Sequence, residues 1–142
     1  QKCPQVWTIE FLSKVTEKLN SQGYLITYSS SAAVRKTLRN LGLEIFTIKP
    51  SFKNRTFWSQ GTVAISKFDK NKLKPNFNFE KLSLMEEEHL LTKASIPYRD
   101  QDLNSSKDDI IKRRLDEQLF SNLLSTNKWR EKWGMTKLSV KS

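Results

Sequence analysis

Residues 23–50 read GYLITYSSSAAVRKTLRNLGLEIFTIKP, and their interpretation decides the fold. The apolar run at 24–28, bounded by Gly23 and Ser29, reads as a short buried strand. A run of small residues at 29–33 leads into a helix over 32–41, with Val34, Leu38 and Leu41 on one face. Asn40 and Gly42 mark the end of that helix. LEIFTI at 43–48 alternates and stops before Pro50, as a second strand does. Two strands joined through a helix predict parallel pairing by a right-handed crossover.

Upstream, 5–20 spaces Val6, Trp7, Phe11, Leu12, Val15 and Leu19 as an amphipathic helix. Downstream, a polar loop at 51–56 precedes a third strand at 57–66 that contains Gly61. That loop is too short for a parallel crossover, so the second and third strands are expected to form an antiparallel hairpin. Residues 68–81 read as a polar connector and 82–94 as a helix. Residues 95–103 read as extended, with Pro97 opposing a helix. Ser105 and Ser106 offer an N-cap, with Asp108 and Asp109 in the following turn. Ile110, Ile111, Leu115, Leu119, Phe120, Leu123 and Leu124 then mark a helix of about 18 residues. Trp129 and Trp133 lie in a basic tail, where docking onto the domain is favoured over stacking on bases. The fold class is α/β: parallel strands plus a terminal antiparallel hairpin over 1–67, with a connector and helical extension over 68–142 packing on it.

The chain has 142 residues, of which 37% are hydrophobic, enough for a real core and too many for disorder. Its net charge is +10, unevenly placed: residues 1–67 carry ten Lys/Arg and three Asp/Glu, residues 68–142 fifteen and twelve. Such a surplus suits a polyanionic partner, because cations bound to phosphates release counterions. Cys3 stands alone and reads as a free thiol in a reducing, cytoplasmic setting. His89 follows three glutamates and reads as a solvated helix position; no metal site is expected. No run of about 18 apolar residues predicts a membrane span. The sequence opens at Gln1 almost directly into a helical pattern, which suggests a piece of a longer protein.

Three stretches carry a resemblance: CPQVWTIEFL at 3–12, GYLITYSSSAAVRKTLRNLGL at 23–43 and KNRTFWSQGTVAI at 53–65. Together they resemble the C-terminal half of the methyltransferase domain in the MnmC-like family, whose fold is Rossmann-like. Pro4, Trp7, Thr8, Gly23, Thr27, Tyr28, Ser29, Val34, Arg35, Leu38 and Gly42 match its pattern. IPYRDQDLNSSKDDIIKRR at 96–114 is similar to the tail of stand-alone members, which lack a fused flavin oxidoreductase. The resemblance implies an S-adenosylmethionine-dependent enzyme that methylates the aminomethyl group of a tRNA wobble uridine. It also implies that the glycine-rich loop and the acidic residues that hold the cofactor precede Gln1. The four glycines, at 23, 42, 61 and 134, include no Gly-x-Gly. S-adenosylmethionine is therefore expected for the complete enzyme and not for this chain alone.

Ligands of such sheets sit beyond the carboxyl ends of the strands. Tyr28, Ser29 and Ser30 lie there, and the serines are candidates both for helix caps and for substrate contacts. Arg35, Lys36 and Arg39 are expected on the exposed side of their helix. Arg35 and Arg55, with Lys53, are the candidate phosphate contacts. Trp7 is assigned either to the core or to the floor of the substrate pocket. No catalytic residue stands out in this chain. The expected partners are tRNA, through its anticodon region, and either the absent N-terminal half or a second copy at an open sheet edge. The alternative is a non-catalytic basic RNA-binding or assembly module built on half a methyltransferase fold; a third is a related enzyme with another substrate.

Overall fold

Four strands, β1 (Tyr24–Thr27), β2 (Leu43–Ile48), β3 (Thr62–Ser66) and β4 (Phe79–Lys81), form one sheet in the order β1-β3-β2-β4. The computed structural model describes residues 2–49, 59–66 and 79–135. β3 runs antiparallel to both β1 and β2. The expected antiparallel pairing of β2 with β3 is present. The expected parallel pairing of β1 with β2 is not: the two run in the same direction, with β3 between them.

Hydrophobicity explains the order. Four of the five residues of β3 are buried, against none of the four in β1. The strand that must shed water on both faces takes the centre, and the half-exposed strand takes an edge. On the other edge β4 pairs with β2, and Phe79 meets Phe46 edge to face at 5.1 Å. The sequence reading placed 79–81 in a polar connector; three residues are too few for a periodic signal.

Helices cover the sheet. A 3-10 turn at Pro4–Trp7 leads into α1 (Ile9–Glu17), where the Thr8 hydroxyl accepts from the Phe11 amide as N-cap. α2 (Ala32–Asn40) joins β1 to β2. α3 (Leu84–His89) begins with a capping box: Ser83 accepts from the Glu86 amide, and the Glu86 carboxylate accepts from the Ser83 amide. Another 3-10 turn, Lys93–Ser95, precedes α4 (Lys107–Phe120), capped by Ser106 as expected, and α5 (Thr126–Lys132). Leu12, Val34, Leu38, Ile45, Ala64, Leu82 and Leu90 share one core cluster. Ala33, Tyr98 and Ile110 form a second. Half-buried Trp7 packs against both.

The C-terminal segment is tied to the front of the chain. The Ile9 amide donates to the Tyr98 carbonyl (3.0 Å), and the Asp100 amide to the Glu10 carboxylate (2.8 Å). Arg114 on α4 donates to the Ile96 and Ala94 carbonyls (2.7 and 2.9 Å), and its guanidinium lies over the Tyr98 ring. α5 docks on α3, as expected of its tryptophans. Trp129 Nε1 donates to the Met85 carbonyl, and Trp133 Nε1 with Lys132 Nζ to the Glu88 carboxylate.

His89 is not on a solvated face. It is buried and stacked on Trp129, ring centroids 4.1 Å apart. Burial first, then the charges of Arg35 and Arg130, push its pKa down to about 4. The unfolded imidazole titrates near 6.5. Between those values the unfolded chain binds a proton that the folded chain refuses, so stability is complete above pH 6.5 and falls as pH drops toward 4. We expect the urea midpoint to decrease over that window and His89→Gln to flatten the decrease. The resonance of this single histidine should titrate near pH 4; titration near 6.5 in the folded protein would contradict the structure.

Candidate functional site

The carboxyl ends of β1 and β2 meet the start of β3 in one row: Thr62 is the register partner of both Thr27 and Thr47. Gly61 precedes this row. A Cβ there would overlap the Thr27 carbonyl and crowd Ile48, so only glycine lets the three strand ends close together. Beyond the row lies the turn 28–31. The Ser29 amide donates to Thr27 Oγ1 (3.1 Å), the Ser31 amide to Ser29 Oγ (3.3 Å), and Thr62 Oγ1 to the Ser29 carbonyl (2.7 Å). Ser31 is the N-cap of α2 by position, but its side chain makes no capping bond. Held on this anchored turn, Tyr28 projects into solvent at 96% exposure. Tyr28, Ser29 and Ser30 thus share one rim, and Trp7 sits between the two core clusters rather than on that rim.

Arg35 departs from the reading that put it on the exposed face. It is 2% exposed. Its Nε donates to Thr62 Oγ1 (2.8 Å) and its Nη1 to Glu86 Oε1 (2.9 Å). Its Nη2 reaches Ser59 Oγ (2.9 Å), the Gly61 carbonyl (3.0 Å) and, more weakly, Thr47 Oγ1 (3.4 Å). With its donors spent inside the fold, it holds the rim through Thr62 and Gly61. Burial lowers the guanidinium pKa and Glu86 offsets this in part; an arginine stays charged regardless. Burial alone would raise the Glu86 pKa, but bonds from Ser83, Thr47 and Arg35 outweigh it and hold the carboxyl below its ordinary value.

Arg39 is not a free cation either: it makes a two-pronged pair with Glu87 (2.7 and 2.8 Å). At the end of β2, Lys49 pairs with Glu80 (2.8 Å). Lys53 and Arg55 lie outside the described residues. What the sequence reading missed is the Arg35–Glu86 pair. Its signal was present, since Ser83 and Glu86 have capping-box spacing, and Arg35 falls three residues after Ala32 and three before Leu38 on the buried face of α2.

Among the described residues, no glycine lies open at the carboxyl end of a strand. A cradle for a nucleotide-like group needs glycine where backbone must approach the ligand. Gly61 is filled by neighbouring strands, while Gly42 and Gly134 follow the C-terminal ends of α2 and α5 with positive φ. None opens at the carboxyl end of a strand. Nor do the described residues bring together three His, Cys, Asp or Glu side chains able to hold a metal ion. No helix among them is long and apolar enough to cross a membrane.

Residues 1–64 match a family described as S-adenosyl-L-methionine-dependent methyltransferase. An uncharacterized protein of Methanocaldococcus jannaschii is 29% identical over 129 residues, 89% of this chain and 33% of that protein. Among solved structures, MnmC2 from Aquifex aeolicus superposes with a TM-score of 0.66 at 29% identity, over 82% of this chain and 34% of that one. The chain spans about a third of the length of each relative. Over residues 1–64 it is similar to the S-adenosyl-L-methionine-dependent methyltransferases. The likeness to MnmC2 supports the MnmC-like resemblance carried by the motifs at 3–12 and 23–43.

The Arg35–Glu86 pair gives a direct test. Arg35→Met strands a buried carboxylate and should cost about 3–5 kcal/mol in chemical denaturation. Arg35→Met with Glu86→Gln keeps hydrogen-bonding oxygen for the α3 cap while removing the orphan charge. It should recover part of that loss; a double variant as unstable as the sum of the singles would contradict the pairing.

Proposed function

We propose that this chain forms the C-terminal part of a tRNA-modifying, S-adenosylmethionine-dependent N-methyltransferase acting on the aminomethyl group of a wobble uridine. The cofactor-binding half lies outside it. The match of residues 1–64 to the methyltransferase family, joined to the likeness to MnmC2, carries this reading. One feature of the fold supports it: β1 lies at an edge of the sheet, with Tyr24 and Ile26 44% and 49% exposed. The edge of a sheet is where a further strand can be added. The missing half is the natural occupant; a second copy would take its place in isolation.

N-methylation needs a neutral amine held in line and an acceptor for the proton it sheds. This chain's share is positioning, which carries much of the rate. In this reading Tyr28, Ser29 and Ser30 meet the substrate base at the rim. Lys53 and Arg55 hold tRNA phosphates without reading sequence. Arg35 acts as a positioning residue behind the rim.

Calorimetry with S-adenosylmethionine should give no heat of binding for this chain, and binding with tRNA methyl transfer for a polypeptide extended upstream. In the extended protein, Tyr28→Ala should lower kcat/KM for tRNA about tenfold if the ring stacks on a base. Tight cofactor binding by the short chain would overturn the division of labour. Salt-dependent tRNA binding without methyl transfer in the extended protein would favour the non-catalytic RNA-binding module, a reading that the net charge of +10 also suits.

A further inference from the structure

The short helix α3 stands between α2 and α5 and is bonded to both. Its six residues end in Glu86, Glu87, Glu88 and His89. Glu86 accepts from Arg35 of α2 (2.9 Å), and Glu87 from Arg39 of the same helix (2.7 and 2.8 Å). The other two face α5. Glu88 accepts from Lys132 Nζ (2.6 Å) and from Trp133 Nε1 (2.9 Å), and His89 stacks on Trp129. Trp129 also donates from Nε1 to the Met85 carbonyl (3.0 Å). A helix this short does not hold its shape alone, so α3 takes its place from the contacts on its two sides.

On the α2 side the bonds lead to the rim. Arg35 Nε donates to Thr62 Oγ1 (2.8 Å), and Thr62 Oγ1 donates to the carbonyl of Ser29 (2.7 Å), the neighbour of Tyr28. On the α5 side the largest contact is Trp129, 6% exposed, lying face to face on His89. The two sides are close, since the charge of Arg35 is felt at the His89 ring. Just before α5 the chain is tied to the body by the Lys93 amide, which donates to the Leu124 carbonyl (2.9 Å).

We propose that Trp129 is a positioning residue for the Tyr28 rim. Docked on α3, it fixes the helix that presents Glu86 to Arg35, and through Thr62 it fixes the turn that carries Tyr28. The coupling is one of local order: when α5 opens, α3 loses one of its two supports, and the rim loosens before the rest of the fold does. Its consequence for the substrate rests on the proposed methyltransferase reading; the coupling itself does not.

Hydrogen exchange on the 142-residue chain reads the coupling. The Ser29 and Ser31 amides and the Arg35 Nε–H report the rim; the Ile9 and Ile110 amides, bonded to the Tyr98 and Ser106 carbonyls, report the far side of the molecule. Trp129→Ala should lower protection at the rim about tenfold more than at Ile9 and Ile110. Trp129→Phe keeps a ring on His89 and should recover most of it. Glu88→Ala releases Lys132 and Trp133 and should give the same pattern at about threefold; it decides the matter where Trp129→Ala does not fold. Unchanged rim protection, or an equal fall at all five groups, would overturn the proposal. In the protein extended upstream, Glu88→Ala should lower kcat for tRNA methyl transfer and leave KM for S-adenosylmethionine unchanged. An unchanged kcat in a variant whose rim exchanges faster would remove the positioning role. The exchange pattern in a chain whose extended parent transfers no methyl group would uphold the coupling and remove the methyltransferase reading instead.

Discussion

A single buried guanidinium organises the sheet and the helices that cover it. Arg35 reaches β3 through Thr62, β2 through Thr47, the segment before β3 through Ser59 and Gly61, and α3 through Glu86. A charge removed from water costs several kcal/mol unless it is paired and fully bonded, so these partners must all be in place together. Glu86 is in turn positioned by Ser83. Thr62 accepts from Arg35 and donates to the carbonyl of Ser29, so the turn that carries Tyr28 is placed by a residue that never reaches the surface.

The elements within one hydrophobic period were legible in the sequence. α1, α2, β2, the β2–β3 pairing and the serine-capped start of α4 follow from local spacing and turn chemistry. What local spacing does not carry is competition between segments. β1 and β2 are joined by a helix, which favours pairing, but the more apolar β3 displaces β1 to the edge. β4 is formed by three residues whose pairing with β2 is a tertiary event. His89 was read from the three glutamates before it; its burial comes from Glu86, His89 and Leu90 sharing one face of α3.

The candidate site divides along the same line. Tyr28, Ser29 and Ser30 were placed at a strand end by the order of elements, and they lie there. Arg35 was read as an exposed cation on a basic helix that matches the family pattern, and neither ground distinguishes a phosphate contact from the keystone of a core. The rest of α2's cationic face is also less available than its charge suggests, since Arg39 is matched by Glu87.

The bond between the Glu10 side chain and the Asp100 amide joins residues 90 positions apart. During synthesis at about 5–20 residues per second, the opening helix leaves the ribosome seconds before the segment that seats it has been made. Contacts of such long range are slow to close. Until they do, α1 is held only through the core cluster that Leu12 shares with Val34 and Leu38 of α2.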